Sequence, residues 1–238
     1  MSSRNKSQIG LQKFSNIPSA PNLANTMLSA GVLRVLVACE ESQTVCKAFW
    51  DLGHQAYSCD YQECSGQNPE WHIQGNAIVE AYSGNYDLMI AHPPCTYISR
   101  AGARWLFGGG KLNAERYEQG LYGKAFFEAM LKAPIKYIAV ENPTPMKIFD
   151  LPKESQVVQP YQFGHEFSKR TLLWLKGLPE LVPTDVKENY VPYLPSNTGG
   201  AKRGQKATPK SINQKESSKT FEGIARAMAV QWSSYACR

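Results

Sequence analysis

Short apolar runs alternate with segments of helical spacing along this chain, and few folds accommodate that order. Buried strands are predicted at residues 33–39, 55–59, 86–91 and 135–140. One helix is predicted from the polar turn Glu40–Gln43 to about Leu52, where Gly53 ends it, and another at residues 114–132. Strands and helices that alternate in this way build a sheet of parallel strands with helices on both faces.

The last third of the chain predicts a hairpin and a closing helix. Strands are predicted at residues 157–163 and 171–175, joined by the short segment 164–170. Residues 221–232 have the spacing of an amphipathic helix. The predicted fold class is therefore α/β, with a doubly wound, mostly parallel sheet that ends in a β-hairpin and a C-terminal helix.

A cysteine follows one of the predicted strands on a stiff turn. Residues 86–91 lead into Pro93-Pro94-Cys95-Thr96, and the prolines end the strand because neither has an N–H to continue a ladder. The carboxyl edge of an open α/β sheet is where ligands and chemistry collect. A cysteine there is often only a small buried hydrophobe, but this position also makes Cys95 a candidate nucleophile.

A carboxylate and an amide follow the strand-like run 135–140. They are Glu141 and Asn142, and Pro143 comes next. An acid at one strand end can face a thiol at another across the same sheet edge, and the two can act together in nucleophilic catalysis. We therefore expect Glu141 and Cys95 to share one site.

The first strand, the polar turn after it and the acid that ends the second strand suit a ligand that contains adenosine. Asp60 suits ribose hydroxyls, or alternatively it only ends a strand. The Gly-x-Gly-x-x-Gly fingerprint is absent, and Glu40 and Glu41 would repel a pyrophosphate. We expect S-adenosylmethionine, which carries a cationic sulfonium and an amine, as the cofactor. The residues expected to bind it are Cys39, Glu40, Gln43, Asp60, Tyr61, Asn76 and Pro93.

The composition indicates which cellular compartment and which kinds of site to expect. The six cysteines are not a disulfide framework in a chain of 238 residues, so we expect free thiols and a cytoplasmic location. There is no Cys-x-x-Cys pair and there are only four histidines, so no metal site is expected. No apolar stretch approaches the roughly 18 residues of a membrane span.

Two segments are set apart from the expected catalytic domain, which comprises residues 31–182 and 220–238. Residues 1–30 contain no acid and are expected to be a disordered polar extension. Residues 183–219 are expected to be a basic loop, because six of the chain's cations but only one acid lie between Gly199 and Thr220. That loop either is simply solvated or contacts phosphates.

These motifs, in this order, resemble those of the cytosine-5 DNA methyltransferases. The family's Pro-Cys-Gln-x-Phe-Ser is similar to residues 94–99, its Glu-Asn-Val to residues 141–143, and its arginine-bearing hairpin to residues 164–172. The resemblance covers roughly residues 32–176 and the last helix. Thr96 replaces the family's glutamine, and the large target-recognition domain is missing. The compact form is similar to methylases of bacteriophage genomes, which links it to restriction–modification and a host cytoplasm.

The resemblance implies a Rossmann-like class I methyltransferase fold and methyl transfer from S-adenosylmethionine to C5 of cytosine in DNA. It implies that Cys95 attacks the base, that Glu141 binds N3 and the exocyclic amine, and that Arg170, to within one residue, holds the base or a phosphate. The loop expected between Ser99 and Leu112, with two arginines and the triple glycine 108–110, could close over a flipped base. The residues expected to contact DNA are Ser99, Arg100, Arg104, Lys202, Arg203, Lys206 and Lys210.

Other interpretations remain open at this point. An adenine-N6 methyltransferase would present Asp or Asn, Pro, Pro and an aromatic residue at the strand end, which residues 92–95 do not match. A methylase of free pyrimidine nucleotides, an enzyme that makes a non-methyl C5 modification and a catalytically silent DNA-binding relative are harder to separate from the sequence. The target sequence and the oligomeric state do not follow from it.

Overall fold

The computed structural model describes residues 31–193 and 218–238. The expected polar extension and most of the expected basic loop, including Lys202, Arg203, Lys206 and Lys210, lie outside the described residues.

The described chain contains eleven strands and five α-helices. The strands are β1 (Arg34–Ala38), β2 (Gln55–Asp60), β3 (His72–Gln74), β4 (Leu88–Ala91), β5 (Phe107–Gly108), β6 (Lys111–Leu112), β7 (Tyr137–Asn142), β8 (Gln156–Val158), β9 (Phe167–Ser168), β10 (Thr171–Lys176) and β11 (Val191–Pro192). The helices are α1 (Thr44–Trp50), α2 (Ala77–Ala81), α3 (Ala103–Leu106), α4 (Ala114–Lys132) and α5 (Glu222–Ala236).

Seven of the strands form one sheet in the order β3-β2-β1-β4-β7-β10-β8. Neighbouring strands are parallel except that β10 runs antiparallel to both β7 and β8. The strand order reverses between β1 and β4, which in open α/β sheets is the switch point where ligands bind. This arrangement, with the β8–β10 hairpin and the C-terminal α5, is the Rossmann-like methyltransferase fold, so the predicted fold class is confirmed.

Two apolar layers cover the sheet. Helices α1 and α5 pack on one face, where Phe49 and Trp232 are fully buried. Helices α2 and α4 pack on the other face, where Phe127 and Met130 are fully buried. Each buried side chain of this size contributes about 1.5–3 kcal/mol through the surface removed from water. The β-strands are therefore buried on both sides, which explains their nearly continuous apolar sequences.

A third, smaller core lies under the segment between Ser99 and Leu112. It contains Ile98, Leu106, Met146 and Phe149. Helix α4 comes so close to it that a Cβ built on Gly120 would lie 2.1 Å from the Phe149 ring, so this helical position requires glycine. The expectation of an irregular loop here is wrong, because the segment forms a 3₁₀ turn, α3 and the β5–β6 hairpin. The apolar anchors Ile98 and Leu106 outweigh the local glycine and arginine signals.

Several element boundaries also differ from the sequence prediction. Glu141 and Asn142 are the last residues of β7 and do not follow it. The strand expected at 157–163 ends at Val158 and a 3₁₀ turn begins at Pro160, because proline cannot donate to a ladder. None of the described helices is long and apolar enough to cross a membrane.

Candidate active site

The register of the central strands brings the sequence motifs together. Ala91 at the end of β4 pairs with Val140 of β7, so the next residues, His92 and Glu141, are neighbours at the carboxyl edge. Asn142 donates a hydrogen bond from Nδ2 to the carbonyl oxygen of Pro93 at 3.0 Å. The segment that leads to Cys95 is thus fixed to the end of β7, where Glu141 lies.

His92 and Glu141 form a direct pair. His92 Nδ1 lies 3.1 Å from Glu141 Oε2, with side chains only 13% and 18% exposed. His92 Nε2 and Asn142 Oδ1 are buried and have no hydrogen-bond partner among the described residues. Buried polar atoms without partners are uncommon, and near a strand-end thiol they suggest groups that a ligand or a water satisfies. The sequence analysis assigned no role to His92, although its place directly before Pro-Pro-Cys was a usable signal.

Each group of the pair shifts the pKa of the other. Burial lowers the pKa of His92, but the hydrogen bond and charge of Glu141, together with the charge of Glu40, raise it above its ordinary value. Burial raises the pKa of Glu141, yet the hydrogen bond and charge of His92 and the charge of Lys169 bring it below its ordinary value. Such a pair titrates as a unit, and both pKa shifts favour the shared proton on the imidazole.

Cys95 is partly exposed at the start of a tight turn. Its carbonyl oxygen accepts hydrogen bonds from the backbone N–H groups of Ile98 at 3.2 Å and Ser99 at 2.9 Å. Burial, followed by the negative charge of Glu141, raises the pKa of the Cys95 thiol. Lys169 and a hydrogen bond from the Ser99 side chain act in the opposite direction. The resting thiol is therefore mostly protonated at neutral pH, and its reaction requires a proton acceptor.

Lys169 contributes positive charge to this site. The charge of Lys169 acts on Cys95, His92 and Glu141. Arg170 is exposed and forms an ion pair with Glu154 at 3.2 Å. The role expected of Arg170, to within one residue, stays a prediction, and Lys169 lies within that range.

The predicted DNA contacts among the described residues separate into two kinds. Ser99 is only 3% exposed, and a hydrogen bond from its side chain lowers the pKa of the Cys95 thiol. Contact of Ser99 with DNA stays a prediction. Arg100 and Arg104 are exposed on the segment that follows. Their contact with DNA stays a prediction.

Arg116 on α4 holds the turn that carries Cys95. Its Nη2 donates to the carbonyl oxygen of Thr96 at 2.9 Å, and its guanidinium lies 4.8 Å from the centre of the Tyr97 ring. A Cβ on Gly102 would lie 2.7 Å from the same carbonyl oxygen, so the following turn also packs against it. Sequence reasoning did not find Arg116, because 20 residues separate it from Thr96.

The turn after β1 is held by an unusual backbone and by a buried carboxylate. Cys39 and Gln43 have φ angles of 60° and 62°, a region that favours glycine. The Glu40 carboxylate accepts hydrogen bonds from the N–H groups of Val45 at 2.7 Å and Cys46 at 3.1 Å. An anion of the protein itself thus occupies the N-terminus of α1, where a dinucleotide would place its phosphate.

The other residues expected at the cofactor lie along the same edge but have different surroundings. The Gln43 side chain is buried and bonds both the N–H and the carbonyl of Asn68. Asp60 ends β2 and accepts from the Gln62 N–H at 2.8 Å, and Tyr61 beside it is exposed. Asn76 caps α2 by accepting from the Ile78 N–H at 3.0 Å. Pro93 is buried, with its carbonyl bonded to Asn142 as described above. Cofactor contact by any of the seven expected residues stays a prediction.

The described residues contain no cluster of three or more His, Cys, Asp or Glu side chains that could hold a metal ion. All six cysteines are free thiols.

Comparisons with known proteins give only distant similarities. No family model and no curated protein matches the chain. Among solved structures, Dnmt2 methyltransferase of S. pombe is 13% identical with a TM-score of 0.36, over 63% of this chain and 51% of that chain. The methyltransferase EhMeth of Entamoeba histolytica is 9% identical with a TM-score of 0.44, over 87% of this chain and 96% of that chain. A mutant of Spodoptera frugiperda DNMT2 is 14% identical with a TM-score of 0.32, over 68% of this chain and 55% of that chain. The chain spans about half the length of the two Dnmt2 structures, and the fold assignment rests on strand order and not on these similarities.

Proposed function

We propose that this chain transfers a methyl group from S-adenosylmethionine to C5 of cytosine in DNA through a covalent adduct with Cys95. The observation that carries the proposal is the meeting of three groups from separate elements at the switch-point edge: the Cys95 thiol, the His92–Glu141 pair and the charge of Lys169. A nucleophile, a proton donor and a cation in one place are what addition to a pyrimidine ring requires.

The first step is attack on the base. The Cys95 thiol gives up its proton to water and the sulfur bonds to C6, while the electrons of the C5–C6 double bond shift between C4 and C5 and those of the C4–N3 double bond move onto N3. N3 takes the one proton of the pair, which passes from His92 through Glu141. Lys169 offsets the negative charge that gathers beside Glu141 and Cys95 as the thiolate forms. C5 is then electron-rich enough to attack a methyl group.

The second step restores the ring. C5 would take the methyl group with the electron pair of the C4–C5 double bond, and the bond between the methyl group and the sulfonium sulfur would break with its electrons on that sulfur. N3 gives up its proton, and a base or water removes the C5 proton. The electrons of the C5–H bond reform the C5–C6 double bond, and the C6–sulfur bond breaks with its electrons on the Cys95 sulfur, which regains a proton. In duplex DNA the cytosine must first leave the stack, which costs a few kcal/mol.

The residues at the carboxyl edge of the sheet suit S-adenosylmethionine better than they suit a dinucleotide. Glu40 already occupies the N-terminus of α1, so there is no place there for a phosphate. Asp60 presents a carboxylate at the end of β2, which suits ribose hydroxyls. The acidic turn is compatible with a cationic sulfonium. When bound, S-adenosylmethionine supplies the electrophilic methyl group.

The proposal is tested with S-adenosylmethionine whose methyl group carries an isotopic label, by finding which nucleoside receives the label. The full chain is incubated with genomic DNA, or with free deoxycytidine nucleotides, and the digested nucleosides are identified by mass spectrometry. Labelled 5-methylcytosine in the DNA, absent with Cys95→Ala, is the expected result. Label in adenine, or in the free nucleotides alone, would contradict the proposal and favour a different methyltransferase class.

A further inference from the structure

The segment from Thr96 to Arg116, which we name the 96–116 arm, combines positive charge with exposed aromatic rings. It begins directly after Cys95 and contains four cations, Arg100, Arg104, Lys111 and Arg116, against one acid, Glu115. It contains α3 and the β5–β6 hairpin, and its buried anchors are Ile98 and Leu106. The arm is therefore a folded, positively charged segment that directly follows Cys95 in the chain.

Aromatic rings are exposed on this arm. Trp105 is 59% exposed, Phe107 45% and Tyr97 38%. Rings of this size are normally buried, and exposing several of them close together in sequence is costly unless they have a partner. In the arm these rings alternate with cations along the sequence. An apolar protein surface is therefore a poor binding partner for it, and a polyanion with flat apolar groups is a good one.

Two of the rings are held by guanidinium groups. Arg104 lies 4.8 Å from the centre of the Trp105 ring, and Arg116 lies 4.8 Å from the centre of the Tyr97 ring. A cation over one face of an aromatic ring orients the ring and leaves its other face for a second flat group. Arg116 also bonds Thr96, so the Tyr97 ring is fixed relative to the nucleophile turn.

We propose that the 96–116 arm stacks unpaired bases on Trp105, Phe107 and Tyr97, so that the preferred substrate is a single-stranded polynucleotide, an inference that rests on the proposed function. Bases expose their faces only when they are unpaired, and combined aromatic and cationic surfaces bind such strands with little dependence on sequence. Stacking of the bases that flank the target cytosine would place it at Cys95 without the cost of opening a duplex. It would also remove the need for a large recognition domain.

The test measures binding apart from chemistry. Dissociation constants are determined by fluorescence anisotropy at several salt concentrations, with the full chain, a labelled single strand of about 12 nucleotides and the matching duplex. We expect tighter binding of the single strand. Trp105→Ala should weaken binding of the single strand by about 5- to 150-fold, the equivalent of 1–3 kcal/mol per stacked base. The slope of the logarithm of the binding constant against the logarithm of the salt concentration should not change in this variant. Arg104→Ala should instead make this salt dependence less steep. The magnitude of the slope should fall by about 0.7 if one phosphate contact is lost.

Matched variants keep the result interpretable. Trp105→Phe should retain most of the affinity, because it keeps a stacking ring. Tyr235→Ala removes an exposed ring at the other end of the sheet, beside Tyr137 at the start of β7, and should change nothing. Unchanged single-strand affinity in Trp105→Ala, or a loss of self-association in that variant with no effect on the strand, would overturn the proposal.

The two proposals fail separately. If Trp105→Ala weakens strand binding but no 5-methylcytosine forms, the stacking surface stands and the proposed reaction fails. If DNA is methylated and duplex binds as well as single strand with no effect of Trp105→Ala, the reaction stands and the stacking surface fails.

Discussion

Burial and the neighbouring charged groups set the pKa of the Cys95 thiol. Burial and the carboxylate of Glu141 raise the pKa of the thiol, whereas Lys169 lowers it. Glu141 in turn is kept ionised by His92. The surroundings therefore disfavour the thiolate form of Cys95.

The first prediction concerns this coupling. Glu141→Gln removes the negative charge beside Cys95, so the pKa of the thiol should fall and iodoacetamide should alkylate Cys95 faster at a given pH near neutrality. Methyl transfer by the same variant should fall by about 10²–10⁴-fold, because the proton donor is lost. Alkylation is read at Cys95 by peptide mass spectrometry across a pH series.

Glu154→Gln is the matched control, because Glu154 pairs with the exposed Arg170 and no effect of it on Cys95 is expected. An unchanged or raised thiol pKa in Glu141→Gln would show that the two groups are not coupled.

At the scale of elements, the turn between β1 and α1 replaces a glycine-rich phosphate loop by a carboxylate cap. Cys39 and Gln43 adopt the left-handed conformation without being glycine, which costs on the order of 1–3 kcal/mol each. Glu40 and the side chain of Gln43 offset part of that cost by bonding α1 and the loop at Asn68. The backbone of the turn is strained, but these hydrogen bonds hold it in one conformation, as is typical of turns at ligand-binding sites.

The second prediction follows from the cap. Glu40→Ala leaves the N–H groups of Val45 and Cys46 without an acceptor, so the free energy of unfolding should fall by about 1–3 kcal/mol. Glu40→Gln keeps one acceptor oxygen and should lose less. Urea denaturation followed by circular dichroism measures both.

Asp51→Ala at the other end of α1 is the control, because it removes only an exposed ion pair with Lys47 and should change stability by less than about 1 kcal/mol. Equal losses in Glu40→Ala and Asp51→Ala would mean that the carboxylate does not cap the helix.

At the scale of the whole molecule, the alternation of apolar runs was enough to predict the sheet, its closing hairpin and the edge that bears the motifs. Strands flanked by helices leave few alternatives, and Pro93 and Pro94 mark the end of β4 without ambiguity. The bounds of the long helix α4 were predicted to the residue. The fold was therefore predictable to the level of class and hairpin.

The site was less predictable, because its details depend on which way single side chains point. The effect of Lys169 on Cys95 depends on the local geometry before β10, and the burial of Ser99 depends on the small core around Phe149. The pair of His92 with Glu141 depends on the register of β4 and β7, which no local pattern encodes. Short elements such as β3 and α2 carry too few residues for a periodic signal.

The central claim is that Cys95 bonds to C6 of a cytosine, and a mechanism-based trap tests it most directly. In 5-fluorocytosine no proton at C5 can leave after methyl transfer, so the Cys95–C6 bond cannot be released. The full chain is mixed with S-adenosylmethionine and random-sequence DNA that contains 5-fluorodeoxycytidine, as single strands and as duplex, and is then analysed on a denaturing gel. The account predicts a covalent complex with the wild type and with Cys64→Ala, a second partly buried cysteine, and none with Cys95→Ala. A complex of equal yield with Cys95→Ala would contradict it.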